Sequence, residues 1–329
     1  MDHRALCLCL IVATLVGGNV VQAGDWMWAK GNMHTHTTNS DGDGSPQAVA
    51  DWYRDHGYQF LVITDHGVVT DPAPLDNDPS DKYILIPGAE VAVPDQGDKP
   101  VHGVAINVRQ TIPAPKGCAT QGRTLRSMVD DIGKAGAIPM VCHPNWCWAF
   151  THRELLHVRG PYLLEIANMS SGCNNEGSLS RPSTEQIWDI LLSEGREVYA
   201  TATDDMHALG IGPKVDGPCR GWVVARVPEL TQQAVLKALS AGDFYASTGV
   251  ELADYSFDGK EFRVSVVPRA DTNYLIRFAG KWGSILQETV GTTASFRPAE
   301  KPDRNSYVRC KVISSDGTVA WTQAYRIKG

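Results

Sequence analysis

The chain has 329 residues, of which 43% are hydrophobic and 20% are charged, the composition of an ordinary globular protein. This length allows one large domain, or one large and one small domain. The formal net charge of -7 lacks the basic character that a nucleic-acid-binding surface requires, so no nucleic-acid polymer is expected as a partner. A small anionic molecule attracted by metal ions remains compatible with this charge.

The N-terminus has the pattern of a secretory signal peptide. Met1 to Arg4 carry positive charge, Ala5 to Val16 form a short apolar core, and Val21 to Ala23 form a small-residue cleavage site. Residues 1–23 are therefore predicted to be removed, with a buried N-terminal helix as the alternative. Export predicts a periplasmic or extracellular protein with no membrane anchor in its mature form. The six cysteines after the leader are then expected to form disulfides or to be buried thiols.

Short apolar runs alternate with helix-like segments between residues 24 and 250. Such alternation predicts a parallel sheet, and about seven repeats suggest closure into a barrel. The predicted helices cover 46–56, 123–135, 183–194 and 231–241, and each is followed by glycine. The predicted strands cover 60–64, 83–86, 101–107, 138–142, 162–167, 197–203 and 222–227.

The pattern changes after residue 250. Short alternating runs are separated by turn pairs such as Asp258-Gly259 and Asp316-Gly317, and no helical period is present. Residues 251–329 are therefore predicted to form a small all-β sandwich domain.

Metal-binding side chains follow the apolar runs. In a parallel α/β barrel, residues that leave the C-terminal ends of the strands meet on one face, so distant donors can share a pocket. Neutral imidazoles mixed with carboxylates suit manganese, iron or zinc, and the number of donors predicts two or three divalent ions. The predicted metal ligands are His34, His36, Asp41, His66, Glu90, His102, His143, Asp205 and His207.

Local spacing supports several of these assignments. His34 and His36 lie two apart in an extended segment, so both imidazoles face the same side. The carboxylate of Glu90 can bridge two cations. Asp65 is predicted to orient a metal-binding imidazole, with a helix cap as the alternative role.

These motifs together resemble the polymerase and histidinol phosphatase (PHP) superfamily, in order, over about residues 30 to 250. The resemblance implies a distorted seven-stranded (β/α) barrel with up to three metal ions. It also implies that His34, His36, Glu90 and Asp205 hold one ion, that Asp41, His66 and His207 hold a second, and that Glu90, His102 and His143 hold a third. Some members have histidine where this chain has Asp41. Segments such as Arg220-Gly221-Trp222-Val223 resemble the exported, single-chain, carbaryl-hydrolase-like branch.

The expected function is that of a metal-dependent hydrolase, most simply a phosphoesterase that uses metal-bound hydroxide on a small phosphorylated substrate. Asp65 and Arg220 are the predicted catalytic residues beside the metals, and Asn168, Arg181 and Arg220 are the predicted substrate contacts. Arg220 is the first choice among the loop cations to clamp a phosphate.

Two other functions remain open. The same metals could hydrolyse a carbamate or carboxylic ester, with Trp146, Trp148 and Phe150 as an aromatic wall for an apolar leaving group. The protein could instead be an inert metal-binding scaffold whose C-terminal region binds a glycan. No obligate protein partner is evident from the sequence.

Overall fold

The computed structural model describes residues 26–75, 83–93, 99–116, 118–210, 216–299 and 303–327. The predicted signal peptide, residues 1–23, lies outside this described part. Five α-helices are present in it: α1 Pro46–Asp55, α2 Gln121–Lys134, α3 His152–Leu155, α4 Thr184–Ser193 and α5 Gln232–Ala241. The first nine strands are β1 Met27–Asn32, β2 Phe60–Ile63, β3 Ile84–Val93, β4 Val101–Ile106, β5 Ile138–Val141, β6 Tyr162–Asn168, β7 Val198–Thr203, β8 Trp222–Val227 and β9 Phe244–Ser247. The remaining strands are β10 Leu252–Phe257, β11 Phe262–Val266, β12 Tyr274–Ala279, β13 Ile285–Val290, β14 Thr293–Phe296, β15 Tyr307–Ser314, β16 Val319–Thr322 and β17 Tyr325–Arg326.

The four predicted helices are confirmed within two residues at each end. Their starts follow from capping side chains, because Ser45, Thr120, Ser183 and Thr231 each accept a hydrogen bond from a backbone N–H of the first helical turn. The seven predicted strands are also confirmed, although β3 continues to Val93. Helix α3 and strands β1 and β9 are not among the predicted elements.

The sheet around the first half of the chain is mixed rather than wholly parallel. Strands β1, β2 and β3 pair in parallel, as do β5, β6 and β7, but β4 is antiparallel to both β3 and β5. The expectation of a parallel sheet is wrong at β4, because seven residues between Val93 and Val101 are too few for a crossover connection. The chain therefore reverses there.

The first and the last strands of this region, β1 and β7, approach each other. An isolated parallel bridge joins Thr35, beyond the end of β1, to Met206, beyond the end of β7. The N–H of His36 donates to the carbonyl oxygen of Met206 at 2.8 Å. Strand β8 pairs with the other edge of β1 in antiparallel orientation.

The C-terminal strands are joined to the same sheet. Strand β16 pairs with β9, so the strand order of the 14-stranded sheet runs β13-β12-β15-β16-β9-β8-β1 and on through β2 to β7. Strands β10, β11 and β14 form a second sheet of three strands. The two sheets meet over aromatic side chains, with ring centroids 5.4 Å apart for Phe262 and Phe278 and 5.5 Å apart for Phe278 and Phe296. The molecule is thus a mixed α/β protein whose C-terminal strands continue the main sheet.

The six cysteines after residue 23 are free thiols in the structure, and those at 142, 173 and 310 are buried. No helix within the described ranges has the length and apolarity needed to span a membrane.

Candidate metal centre

All nine predicted metal ligands come together at one end of the strands: they lie beyond β1, β2, β5 and β7, within β3 and near the start of β4. Glu90 is at the centre of the group and is 1% exposed. Its Oε2 lies 3.2 Å from Nε2 of His34, 3.3 Å from Nε2 of His36 and 3.1 Å from Nδ1 of His66. Its Oε1 lies 2.9 Å from Nδ1 of His102 and 3.4 Å from Nε2 of His143.

Two further carboxylates complete the group on either side. Oδ1 of Asp205 lies 3.2 Å from Nε2 of His34 and 3.1 Å from Nε2 of His36. The half-exposed carboxylate of Asp41 is 3.5 Å from His36, 3.4 Å from His66 and 3.6 Å from His207. The site is therefore buried at its His34 end and open to solvent at its Asp41 end.

The environment of His34 tests whether the site suits a cation. Its Nδ1 donates to Oε1 of the buried Glu165 at 2.7 Å, which leaves the Nε2 lone pair of the neutral ring directed toward the centre. This Nε2 is fully buried and makes no hydrogen bond, although two carboxylate oxygens lie 3.2 Å away. A lone pair that faces two acceptors requires a positive charge between them, so the residues fit a metal ion.

The pKa shifts of the ionisable groups in this site also indicate that a positive charge would be stabilised there. Burial by itself lowers the pKa of His34, but Asp205, Glu165 and Glu90 outweigh it and raise the pKa well above its usual range. For Glu90, burial by itself raises the pKa, but His34, His102 and His143 lower it well below its usual range. The carboxylate thus stays ionised in a buried site.

Four groups of donor atoms among the described residues are close enough to hold an ion. Within each group the possible ligand atoms all lie within 4.8 Å of one another. The groups are His36, Asp41, His66 and His207; His34, His36 and Asp205; His34, Glu90 and Cys142; and His66, Glu90 and His102.

Two of these residues have unusual backbone conformations. His143 has φ of 26° and Asp205 has φ of 48°, in the region that favours glycine. Such conformations cost about 1–3 kcal/mol each and persist where the surrounding structure enforces them. Here they turn both side chains toward the site just beyond β5 and β7.

Asp65 holds a loop instead of an imidazole. Its carboxylate accepts hydrogen bonds from the N–H of Thr37 at 2.7 Å, from the hydroxyl of Ser40 at 2.8 Å and from the hydroxyls of Thr37 and Thr70. Asp65 therefore neither orients an imidazole nor caps a helix, the two roles predicted for it from the sequence. By holding the loop that carries Asp41, Asp65 supports the open end of the site without facing it.

Gly42 allows the same loop to fold back. A Cβ atom at this position would lie 2.6 Å from the backbone of His36. Only glycine therefore permits the turn to pack this closely and to place Asp41 beside His66.

Glu165, which the sequence analysis did not select, holds several parts of the site. Besides the bond from His34, it accepts the N–H of His143 at 2.7 Å, the hydroxyl of Thr203 at 2.7 Å and the amide of Asn168 at 2.8 Å. Asn168 also donates to Asp205 at 3.0 Å. Asn168 is thus buried and positions a carboxylate, which differs from the predicted substrate contact.

The predicted arginines lie outside the immediate cavity wall. Arg220 is half-buried just before β8, where its N–H donates to the buried Asp204 at 2.7 Å, and Arg181 pairs with Ser178 in an isolated antiparallel bridge. Neither is among the described residues that line the cavity, which has a volume of about 340 Å³. Besides seven of the predicted ligands, that lining consists of Trp146, Ser170, Ser171, Cys173 and Asp216.

We predict that Glu165→Gln lowers kcat/KM by about 10- to 100-fold, the usual effect of removing a carboxylate that orients a metal-binding histidine. A glutamine side chain has one acceptor oxygen instead of two, so it cannot accept hydrogen bonds from all the donors that bind the Glu165 carboxylate. The control is Glu197→Gln, because Glu197 is exposed and accepts only the hydroxyl of Tyr199 at 2.8 Å among its described contacts. Equal steady-state kinetics for wild type and Glu165→Gln would contradict this positioning role.

Comparison with solved structures identifies the fold. A two-domain protein from Bacteroides vulgatus, described as containing a predicted PHP-like metal-dependent phosphoesterase, matches with 16% identity over 92% of this chain and 96% of that chain, with a TM-score of 0.51. An amidohydrolase from Chromobacterium violaceum with bound sulfate and no metal matches with 18% identity over 57% of this chain and 94% of that chain, with a TM-score of 0.39. No protein-family model and no curated protein matches the chain. The first likeness shows that this chain shares the overall fold of that two-domain protein.

Proposed function

We propose that this protein is a metal-dependent hydrolase that acts on a small phosphoester. The observation that carries the proposal is the convergence of six imidazoles and three carboxylates on one cavity, with the lone pair of His34 directed at two acceptor oxygens. Side chains that only stabilised the fold would not be assembled in this way, because buried polar atoms are normally paired.

The chain's own residues have distinct roles in this proposal. His34, His36, Glu90 and Asp205 would hold one ion, Asp41, His66 and His207 a second, and Glu90, His102 and His143 a third. Bound divalent cations would lower the pKa of water and neutralise substrate oxygens. Glu90 belongs to two of these sets and contacts His66 of the third, Glu165 fixes the tautomer of His34, and Asn168 orients Asp205.

Charge balance favours a phosphoester over a neutral ester. The proposed ligands include only three carboxylates, Asp41, Glu90 and Asp205, whereas three divalent ions would bring six positive charges. The excess positive charge is suited to an anionic substrate whose oxygens spread over the ions. Ser170 in the cavity wall offers a hydroxyl to the rest of the substrate, whereas the N–H and the hydroxyl of the neighbouring Ser171 donate to the carboxylate of Asp216 at 2.8 and 3.1 Å.

Three finer assignments belong to the same proposal. We propose that β1 to β7 form a distorted seven-stranded barrel, supported by the Thr35–Met206 bridge. Residues 251–329 would be the small β-sandwich domain, supported by the two facing sheets. Residues 1–23 would direct export, so the reaction would take place in the periplasm or outside the cell.

The test is a substrate panel on purified protein reloaded separately with manganese, iron or zinc. We expect hydrolysis of p-nitrophenyl phosphate or bis-p-nitrophenyl phosphate, together with more than one equivalent of bound metal. Hydrolysis of naphthyl carbamate alone would refute the phosphoesterase proposal and favour the carbamate alternative. Less than one equivalent of metal after reloading, with no turnover, would favour an inert scaffold.

A further inference from the structure

Trp146 is placed differently from the other aromatic residues near the site. It lines the cavity and is half-exposed, whereas Phe150 is 1% exposed and belongs to the core. Trp148 does not contribute to the described lining. Of the three residues that could form an aromatic wall, the structure therefore selects Trp146.

The turn that carries Trp146 is held from several directions. The N–H of Trp146 donates to the carbonyl oxygen of His143 at 2.9 Å, and Cys147 and Trp148 follow with φ of 50° and 52°. The ammonium group of Lys99 donates to the carbonyl oxygens of Cys147 and Trp148 at 3.2 and 2.8 Å. The indole is thus positioned before any ligand arrives, which reduces the entropy lost on binding.

The neighbours of the indole place it at the reacting centre. Its ring centroid lies 5.3 Å from the imidazole of His102 and 5.1 Å from that of His143. Both imidazoles contact Glu90 within 3.4 Å. A group that stacks on the free part of this ring must therefore be attached almost directly to the scissile bond.

This proximity discriminates between substrate classes. In an aryl ester the ring is bonded to the leaving oxygen itself, so it can stack beside the ions. In a nucleotide the base is separated from the phosphate by a ribose, and its ring would extend beyond Trp146. An alkyl ester offers no flat face for the indole.

We propose that Trp146 is a specificity-determining residue that selects esters with an aromatic leaving group bonded directly to the ester oxygen. This inference rests on the proposed hydrolase function. It adds to that function the chemical class of the leaving group.

The test compares Trp146→Leu and Trp146→Phe in the metal-loaded full chain. For Trp146→Leu we expect KM for phenyl phosphate to rise about tenfold, the upper end of the usual range for loss of an aromatic pair, with kcat within about threefold. KM for ethyl phosphate should stay within about threefold of wild type, and Trp146→Phe should recover most of the affinity for phenyl phosphate. Calorimetry with benzylphosphonate and ethylphosphonate should show the same discrimination in dissociation constants, independently of turnover.

The matched control is Trp148→Leu, which alters the same turn outside the described cavity wall. It should retain the preference for phenyl over ethyl phosphate. Equal losses on the phenyl and ethyl compounds in Trp146→Leu would overturn the proposal, as would unchanged kinetics. If the wild type hydrolyses carbamates but no phosphoester, the phosphoesterase proposal fails, and the same comparison with phenyl and ethyl carbamates then tests Trp146 by itself.

Discussion

Glu90→Gln is expected to lower kcat/KM by about 10³-fold or more and to reduce the number of bound metal ions. Oε1 and Oε2 of Glu90 together contact five imidazoles, so the side chain belongs to every part of the proposed cluster. Glutamine keeps the shape of the side chain but removes its charge and one acceptor atom. Because metal ions supply several kcal/mol of transition-state stabilisation and each tenfold in rate corresponds to 1.36 kcal/mol, a loss of this size follows.

The control for this prediction is Glu288→Gln. Glu288 lies on β13 in a partly exposed pair with Arg277 at 2.7 Å, remote from the cavity in the sheet order. Metal content measured by atomic emission and kinetics measured on the same samples should be unchanged in this variant. Wild-type metal content together with wild-type turnover in Glu90→Gln would show that the cluster is not the reaction site.

The metal-site residues could be predicted because their positions follow simple rules. Most donors follow an apolar run, and the C-terminal ends of parallel strands in α/β sheets meet at one edge. His102 is the exception, because it lies near the start of β4, whose antiparallel direction brings that end to the same edge. His34 and His36 illustrate this, because a separation of two residues places both imidazoles against Glu90 and Asp205. Such periodicity is visible in a sequence without knowledge of the loops.

Glu165 and Asn168 show where this reasoning fails. Three residues apart on a regular strand, their side chains would face opposite sides of the sheet. The pairing of β6 with β7 shifts between Glu165 and Ala167, and Asn168 reaches the carboxylate of Glu165 at 2.8 Å. A bulge leaves no periodic signal, although an acidic residue between Leu164 and Ile166 indicates a buried carboxylate that needs partners.

The contacts of loop residues were equally inaccessible. Asp65 follows β2 as a ligand would, but it accepts hydrogen bonds from Thr37, Ser40 and Thr70. Its direction depends on how the loop around Gly42 folds back on His36. Sequence spacing alone does not determine such a direction.

A buried ion cluster joins helix α4 to the C-terminal strands. Nε and Nη2 of Arg309 on β15 each lie 2.7 Å from an oxygen of Asp189, and Nη2 lies 2.7 Å from Glu185. The hydroxyl of Tyr307 also donates to Asp189 at 2.7 Å. Burial by itself raises the pKa of Glu185, but Arg309 and Lys311 lower it to about 2, so Glu185 is ionised at neutral pH.

Asp189→Ala is expected to reduce the free energy of unfolding by about 3–5 kcal/mol, the usual cost of leaving a buried charge without its partner. Arg309 is 2% exposed and would lose both bonds of the paired geometry, so the remaining Glu185 could not replace them. Urea unfolding followed by circular dichroism measures this loss of unfolding free energy. The partly exposed pair of Glu288 and Arg277 is the control, because Glu288→Ala should cost at most about 1 kcal/mol. If both variants lose the same small amount, the buried pair contributes no more than a surface pair. Replacing Asp189 and Arg309 together by Leu and Met should recover much of the loss, because the penalty arises from the unpaired charge and not from the missing contact.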